Sequence, residues 1–319
     1  MRAAWYERQG PAGEVLTVGN ADTPEPGAGE VRVRLSFSGV NPGDTKKRAG
    51  WRGSAMPYPR VIPHSDGAGV IDAVGPDVDR ARIGQRVWVY GAQSYRPFGT
   101  AAEATVVPAD TAVELPDGVS EEVGAALGIP GITAHRAVFA DGPVQGQIVL
   151  VHGVRGAVGS LAAQLARWAG ATVIGTLRSG VTQEQDVVRL DAPDAAQSLL
   201  RMAPGGVDRI IEVAFDANVE FNAAVVRNGA VIASYSSRDE RPSLPFWPLA
   251  FNNVTIRLLG SDDFSAETRR AGARDLTAAA AAGALDIKVA RPYPLDAVAS
   301  AHAAVEGGSS AGRVLLRIM

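Results

Sequence analysis

Three glycines, Gly153, Gly156 and Gly159, stand at even three-residue spacing in the stretch 148–178, which reads IVLVHGVRGAVGSLAAQLARWAGATVIGTLR. A glycine turn of this kind, placed where a strand ends and a helix begins, presents backbone N–H groups and the positive end of a helix to a phosphate. Each glycine has its own reason: Gly153 permits a tight exit from the strand, Gly156 lets the backbone approach a pyrophosphate, and Gly159 lets the helix sit close to the sheet. The spacing is GxxGxxG, not the usual GxGxxG, so the triplet alone also suits an ordinary strand-to-helix turn. Its meaning depends on the elements that hold it.

Those elements are legible. The apolar run 148–151 is too short for a helix and reads as a strand buried on both faces. The segment 160–169 carries Leu161, Leu165 and Trp168 at helical spacing, and a second apolar run follows at 172–175. This is a β-α-β unit of about thirty residues, the size of a dinucleotide-binding half. After the second strand an NAD-selective site places Asp or Glu for the ribose 2′-hydroxyl, whereas this chain reads Gly175-Thr-Leu-Arg-Ser179. With no carboxylate and a guanidinium at Arg178 suited to a 2′-phosphate, the expected cofactor is NADPH, contacted also through Thr176. Arg155, inside the turn, is either a second phosphate contact or a solvated loop charge.

The rest of the chain frames this unit. Residues 1–122 are β-rich and turn-punctuated, with short alternating runs at 31–35, 69–74, 86–90 and 101–107, and predict a compact β-barrel-like domain. From Glu121 the pattern changes to helix (EEVGAALGIPGITAHRAVF) and then to alternating strands and helices, with further apolar runs at 207–213, 230–235 and 254–259. A parallel sheet with right-handed crossovers is the simplest topology. Residues 265–285 are Ala-rich and read as one helix. The terminal run 312–318 is a strand expected to return to the N-terminal domain.

Composition excludes several classes. The 319 residues are 46% hydrophobic and 20% charged, with a net charge of −3, which gives no basic footprint for nucleic acid or anionic membrane. Cysteine is absent, which removes thiolate catalysis, iron-sulfur clusters and Cys-ligated zinc. The start MRAAWYERQG lacks an apolar signal core and no run is long enough for a membrane span, so a cytoplasmic location is the expectation. Nothing resembles a nucleophile elbow, since the serines lack a plausible His-Asp sequence context. His64 with Asp66 reads as loop residues rather than a proton relay, and His135, His152 and His302 form no pair at metal-ligand spacing.

Taken in order, the segments GVNPGDTKKRAG (39–50), IPHSDGAGVIDAVG (62–75), GIPGITAHRAVF (128–139), VLVHGVRGAVG (149–159), VDRIIEVA (207–214) and the terminal GRVLL resemble the quinone oxidoreductase (zeta-crystallin) branch of the medium-chain dehydrogenase/reductase superfamily. The resemblance implies an α/β chain with two domains. One is a GroES-like β-barrel catalytic domain built from residues 1–122 and 262–319, and the other is a Rossmann domain with a doubly wound parallel sheet over 123–261. A cleft between them would hold NADPH. It further implies hydride transfer to quinones or other α,β-unsaturated carbonyls, and homodimers that pair through the last Rossmann strand, here 253–259. Zinc alcohol dehydrogenases of the superfamily carry a Cys where this chain has Asn41 and a zinc-binding His where it has Ser65, and their structural-zinc loop is replaced by the short connection 91–98.

By the same matching, Asn41 faces the nicotinamide or substrate carbonyl, the alternative being an Asx turn before Pro42. Lys46 contacts a ribose hydroxyl or the substrate oxyanion, or else Lys46-Lys47-Arg48 is a solvated face. Ile129, Pro130 and Thr133 lie behind the nicotinamide ring. The turn residues Gly153, Arg155, Gly156, Ala157, Val158 and Gly159 hold the pyrophosphate, and Asn218, Tyr235, Ser236, Arg238, Leu258, Leu259 and Gly260 line the cofactor site. Phe246 and Trp247 cover a substrate or pack at a dimer contact. The chain departs from the family in one place: the segment between Thr176 and Val207 is about ten residues shorter, and the helix after the second strand is reduced to 179–185. The resulting expectation is a metal-free NADPH reductase of quinones or enones. Its rivals are an enoyl or alkenal reductase for one metabolite and a nucleotide-binding protein with little catalysis.

Overall fold

The computed structural model describes residues 1–180, 184–308 and 312–319. By contact it divides into two units, one of Met1–Pro130, Arg269–Ala281 and Ile287–Met319, the other of Gly131–Thr268 and Ala282–Asp286.

The first unit is built around the long strand Glu30–Gly39. Its alternation places Val31, Val33 and Leu35 in the core, while Arg32 and Arg34 point away from it, as a period of two requires. This strand pairs antiparallel with Asp66–Val74, with Ala104–Pro108 and with Leu315–Arg317, so the C-terminal run does return to the N-terminal sheet. Asp66–Val74 pairs in turn with Arg86–Val89, and the latter with Ala112–Glu114. Two register shifts between Glu30–Gly39 and Asp66–Val74 mark bulges, which bend a sheet toward closure. Val31, Val33, Leu35, Ile71, Val87, Val89 and Val107 fill the space behind it.

The second unit holds a six-stranded sheet, parallel throughout, in the spatial order Val187–Arg189, Thr172–Leu177, Ile148–His152, Val207–Glu212, Val226–Ser234, Thr255–Leu258. The chain starts at Ile148–His152, moves one way for two strands and then the other way for three. The reversal lies between Ile148–His152 and Val207–Glu212, and open α/β sheets bind ligands beyond the carboxyl ends of the strands at such a point. Helix Ala157–Trp168 buries Leu161, Ala162, Leu165 and Ala166, whereas Trp168, placed on the apolar stripe by its spacing, is half exposed. Leu150, Ile174, Leu199, Ile210, Val219 and Ile232 belong to one core cluster in this unit. Each such side chain contributes about 1.5–3 kcal/mol by leaving water.

Strand Val187–Arg189 was not signalled by the sequence, since it is three residues long and only Val188 is fully buried. The expected remnant helix at 179–185 falls partly on residues 181–183, outside the described residues, and the described ones around them carry no helix. Among the described residues no helix is long and apolar enough to cross a membrane.

Candidate nucleotide and substrate site

Strand Ile148–His152 runs into the glycine turn at the reversal point of the sheet. Gly153 has φ +60°, the left-handed conformation that a side chain disfavours. Gly156 is the N-cap of helix Ala157–Trp168, and its own N–H donates to the Gly153 carbonyl at 2.7 Å. A Cβ at Gly159 would stand 2.3 Å from the Gly153 oxygen, so only glycine lets the helix pack this close to the turn. The first intrahelical bond runs from Ser160 N–H to the Gly156 carbonyl, which leaves the N–H groups of Ala157, Val158 and Gly159 without helical partners. Arg155, Gly156 and Ala157 are exposed. The cradle fits a pyrophosphate through backbone donors and the helix dipole.

One strand along, Thr176 is fully buried and turned inward, its hydroxyl 2.7 Å from His152 Nδ1. Its side chain is therefore committed to the interior instead of to a ligand. Arg178, just past the end of Thr172–Leu177, is exposed and has no ion pair among the described residues. Arg155 is not free in the same way, because its guanidinium pairs with Glu184 at 2.9 Å. The two arginines thus differ: only Arg178 offers an uncommitted charge.

Beyond the second pair of strand ends, Asn218 on helix Phe215–Val225 donates its amide to the Glu212 carboxylate at 2.9 Å. Tyr235 follows strand Val226–Ser234, and burial raises its phenol above the usual value. The Ser236 carbonyl accepts from Phe215 N–H at 3.1 Å. Asp216 accepts from the Arg238 backbone N–H and lies 3.4 Å from its guanidinium, and these contacts lower the carboxyl pKa. Leu258 ends the edge strand of the sheet and is exposed, Leu259 N–H donates to the Ser234 carbonyl, and Gly260 starts a short 3-10 turn.

In the first unit Asn41 caps helix Pro42–Ala49, and its backbone N–H donates to Asp44 at 2.7 Å. Its side-chain Nδ2 donates to the buried carboxylate of Asp66 at 2.7 Å, while Oδ1 is buried with no hydrogen-bond partner among the described residues. The amide is thereby oriented: what it keeps for a ligand is an acceptor, not the donor that an oxyanion needs. Asp66 opens strand Asp66–Val74 and is not a loop residue. Its other oxygen accepts from Ile129 N–H at 2.8 Å, a donor released by the break at Gly128 inside helix Glu121–Phe139, and Arg313 stands 3.6 Å away. Pro130 and the buried Thr133 continue that helix.

The triplet Lys46-Lys47-Arg48 is not one solvated face. Arg48 is fully buried, paired to Glu306 and donating to the Gly10 carbonyl. Lys46 is half-buried with its ammonium 4.7 Å over the Trp51 ring, a cation–π contact.

Sequence spacing also missed a pair 238 residues apart: His64 and His302 stack, with their Nε2 atoms 2.9 Å apart. Ser38 Oγ lies 2.9 Å from His64 Nδ1 and 2.7 Å from Thr100 Oγ1. Burial depresses both imidazoles, His302 to about 3.

Residues 27–117 match the alcohol dehydrogenase GroES-like domain, and residues 183–316 match the zinc-binding dehydrogenase family. The quinone oxidoreductase of Mus musculus is 30% identical over 328 residues, covering 98% of this chain and 96% of that protein. Among solved structures, an NAD-dependent alcohol dehydrogenase superposes with a TM-score of 0.88 at 27% identity, and a mycobacterial protein complexed with NADPH with 0.82 at 26%, each over the whole of both chains. With its GroES-like and Rossmann-type parts and its full-length likeness to these proteins, the chain belongs to the quinone oxidoreductase branch of the medium-chain dehydrogenase/reductase superfamily, a family of NAD(P)-dependent oxidoreductases.

Proposed function

We propose that this protein is a zinc-independent reductase that uses NADPH, rather than NADH, to reduce quinones or other α,β-unsaturated carbonyls. The observation that carries the reading is the sequence of features at the sheet's reversal point. An open helix N-terminus follows the glycine turn, and an uncommitted Arg178 stands where a ribose-selecting carboxylate is found in NAD enzymes. The quinone oxidoreductase and the mycobacterial protein complexed with NADPH support this reading, whereas the similar NAD-dependent alcohol dehydrogenase is named for the other nucleotide.

When bound, the cofactor supplies the two-electron reducing equivalent. The chain's part is to hold and orient. Ala157, Val158 and Gly159 hold the pyrophosphate through N–H groups, and Arg178 takes the 2′-phosphate. Asn41, fixed by Asp66, presents Oδ1 as an acceptor to a ligand donor. Lys46, with its charge on a flexible stem, is the group for a developing oxyanion. Orientation and charge stabilisation of this kind lower barriers by several kcal/mol.

The donor set argues against zinc. Asn41 and Ser65 occupy the two ligand positions; the Asn41 amide nitrogen is given to Asp66, and no cysteine exists in the chain. A homodimer through the edge strand Thr255–Leu258 is part of the same reading, supported by the exposed rings of Phe246, Trp247 and Phe251 on the adjacent helix. The test is NADPH oxidation by the metal-stripped protein across a panel of quinones, enones and alkenals. Turnover of quinones is expected, whereas turnover confined to one carbon-carbon double bond class would make it a tailored enoyl or alkenal reductase.

A further inference from the structure

A second buried polar group lies directly beneath the glycine turn. His152 is the last residue of strand Ile148–His152 and the residue before Gly153, and its ring is fully buried. Nδ1 meets the Thr176 hydroxyl at 2.7 Å and Nε2 meets Asn222 Oδ1 at 2.7 Å. Asn222 Nδ2 donates to Glu212 Oε2 at 2.7 Å, while Glu212 Oε1 accepts from Asn218 Nδ2 at 2.9 Å and from Ala214 N–H at 2.5 Å. Glu212 ends strand Val207–Glu212 and is fully buried.

Every donor in this chain has a forced direction. A carboxylate only accepts, so Asn222 must turn its NH2 toward Glu212 and its oxygen toward His152. That oxygen needs a donor, so the imidazole carries its proton on Nε2, and Nδ1 is left to accept from Thr176. The network thus joins the carboxyl ends of the three strands around the reversal point, those ending at His152, Leu177 and Glu212. The glycine turn leaves from the first of them.

We propose that Glu212 is a positioning residue for nucleotide binding: through Asn222 it fixes the His152 tautomer and so holds the strand end from which the phosphate-binding turn departs. This rests on the nucleotide reading given above.

Glu212→Gln makes a specific prediction. The Ala214 N–H is a fixed donor, so the glutamine places its oxygen there and its NH2 against Asn222. Asn222 must flip its amide, its NH2 then faces His152, and the imidazole must move its proton to Nδ1. The test measures the nitrogen-15 shifts of the His152 ring together with KM for NADPH and kcat, in wild type, Glu212→Gln and Glu212→Asp. Wild type is expected to show protonated Nε2. Glu212→Gln is expected to show protonated Nδ1 and a KM for NADPH raised about tenfold, with kcat at saturating NADPH changed less than twofold. Glu212→Asp keeps an acceptor-only group, so it retains the Nε2–H form and a KM between the other two.

A role in packing alone would order the variants the other way, since Gln preserves the volume and Asp does not. A wild-type His152 protonated on Nδ1, an unchanged tautomer in Glu212→Gln, or a KM for Glu212→Asp above that of Glu212→Gln would overturn the proposal. The wild-type spectrum decides the tautomer even if a variant fails to fold. Wild type that does not bind NADPH sinks the nucleotide reading, whereas NADPH binding that Glu212→Gln leaves unaltered sinks this inference.

Discussion

Replacing Asp66 by Asn tests how the candidate substrate side of the first unit is held. The Asp66 carboxylate accepts from Asn41 and Ile129 and stands 3.6 Å from the guanidinium of Arg313. Arg313 is itself buried, and its Nε and Nη2 have no hydrogen-bond partner among the described residues; Nη1 makes one long contact to the Val40 carbonyl at 3.3 Å. Burial pulls the Arg313 pKa down while Asp66 and Asp44 push it back up. The guanidinium therefore depends on the Asp66 charge, an attraction of roughly 4–5 kcal/mol at an effective dielectric near 20. Asp66→Asn removes it and leaves a buried cation facing only the Asp44 charge, at a cost of about 3 kcal/mol. The melting temperature should fall by on the order of 10 °C. In the same variant the new amide must place its NH2 against Asn41, because Ile129 N–H occupies the other side, so the Asn41 amide turns over and reductase activity falls. Adding Arg313→Met to Asp66→Asn should recover about 1–2 kcal/mol, since the orphaned charge is gone. Urea unfolding of the wild type and the two variants measures this directly. A loss below about 1 kcal/mol in Asp66→Asn, or a double variant less stable than the single one, would refute the argument.

Gly159→Ala should drive the new methyl into the Gly153 carbonyl, spread the turn and weaken NADPH binding by more than about tenfold in fluorescence titration. Stability should drop as pH falls below about 6.5 because of the His64–His302 pair. Both imidazoles have depressed native pKa values, so below the unfolded pKa the unfolded chain takes up protons that the native pair refuses. Each contributes a slope of about 1.4 kcal/mol per pH unit, the charges facing them being Arg313 on His64 and Arg48 on His302. His302→Leu should remove one such slope from urea midpoints measured between pH 7 and 5, and an unaltered slope would count against the pair. Trp247→Glu with Phe251→Glu should convert a dimer to a monomer in light scattering, and a monomeric wild type would remove the dimer from the account.

The parts of this molecule visible in its sequence are those written in local periodicity. The strands around Val31–Leu35 and Ile148–Val151, the helix at 121–139 and the glycine turn all follow from residues close in the chain. Strand Val187–Arg189 escaped because three residues carry no readable alternation. The buried partners escaped for a different reason. Arg48 finds Glu306, His64 finds His302, and His152 finds Asn222 and Glu212 only after the sheets bring distant segments together. A basic triplet looks solvated until one member is seen to be buried. Asn41 was legible as a candidate, but the direction of its amide depended on Asp66, which strand pairing places beside it.

The central claim is that the turn at residues 153–159 binds a dinucleotide whose 2′-phosphate is read by Arg178. Titration of the pure protein with NADPH and with NADH, repeated on Arg178→Ala, tests it most directly. The account predicts tighter NADPH binding in wild type, and in Arg178→Ala a loss of roughly tenfold or more for NADPH with NADH affinity unchanged. Equal affinity for the two nucleotides in wild type, or a preference that survives Arg178→Ala, would contradict it.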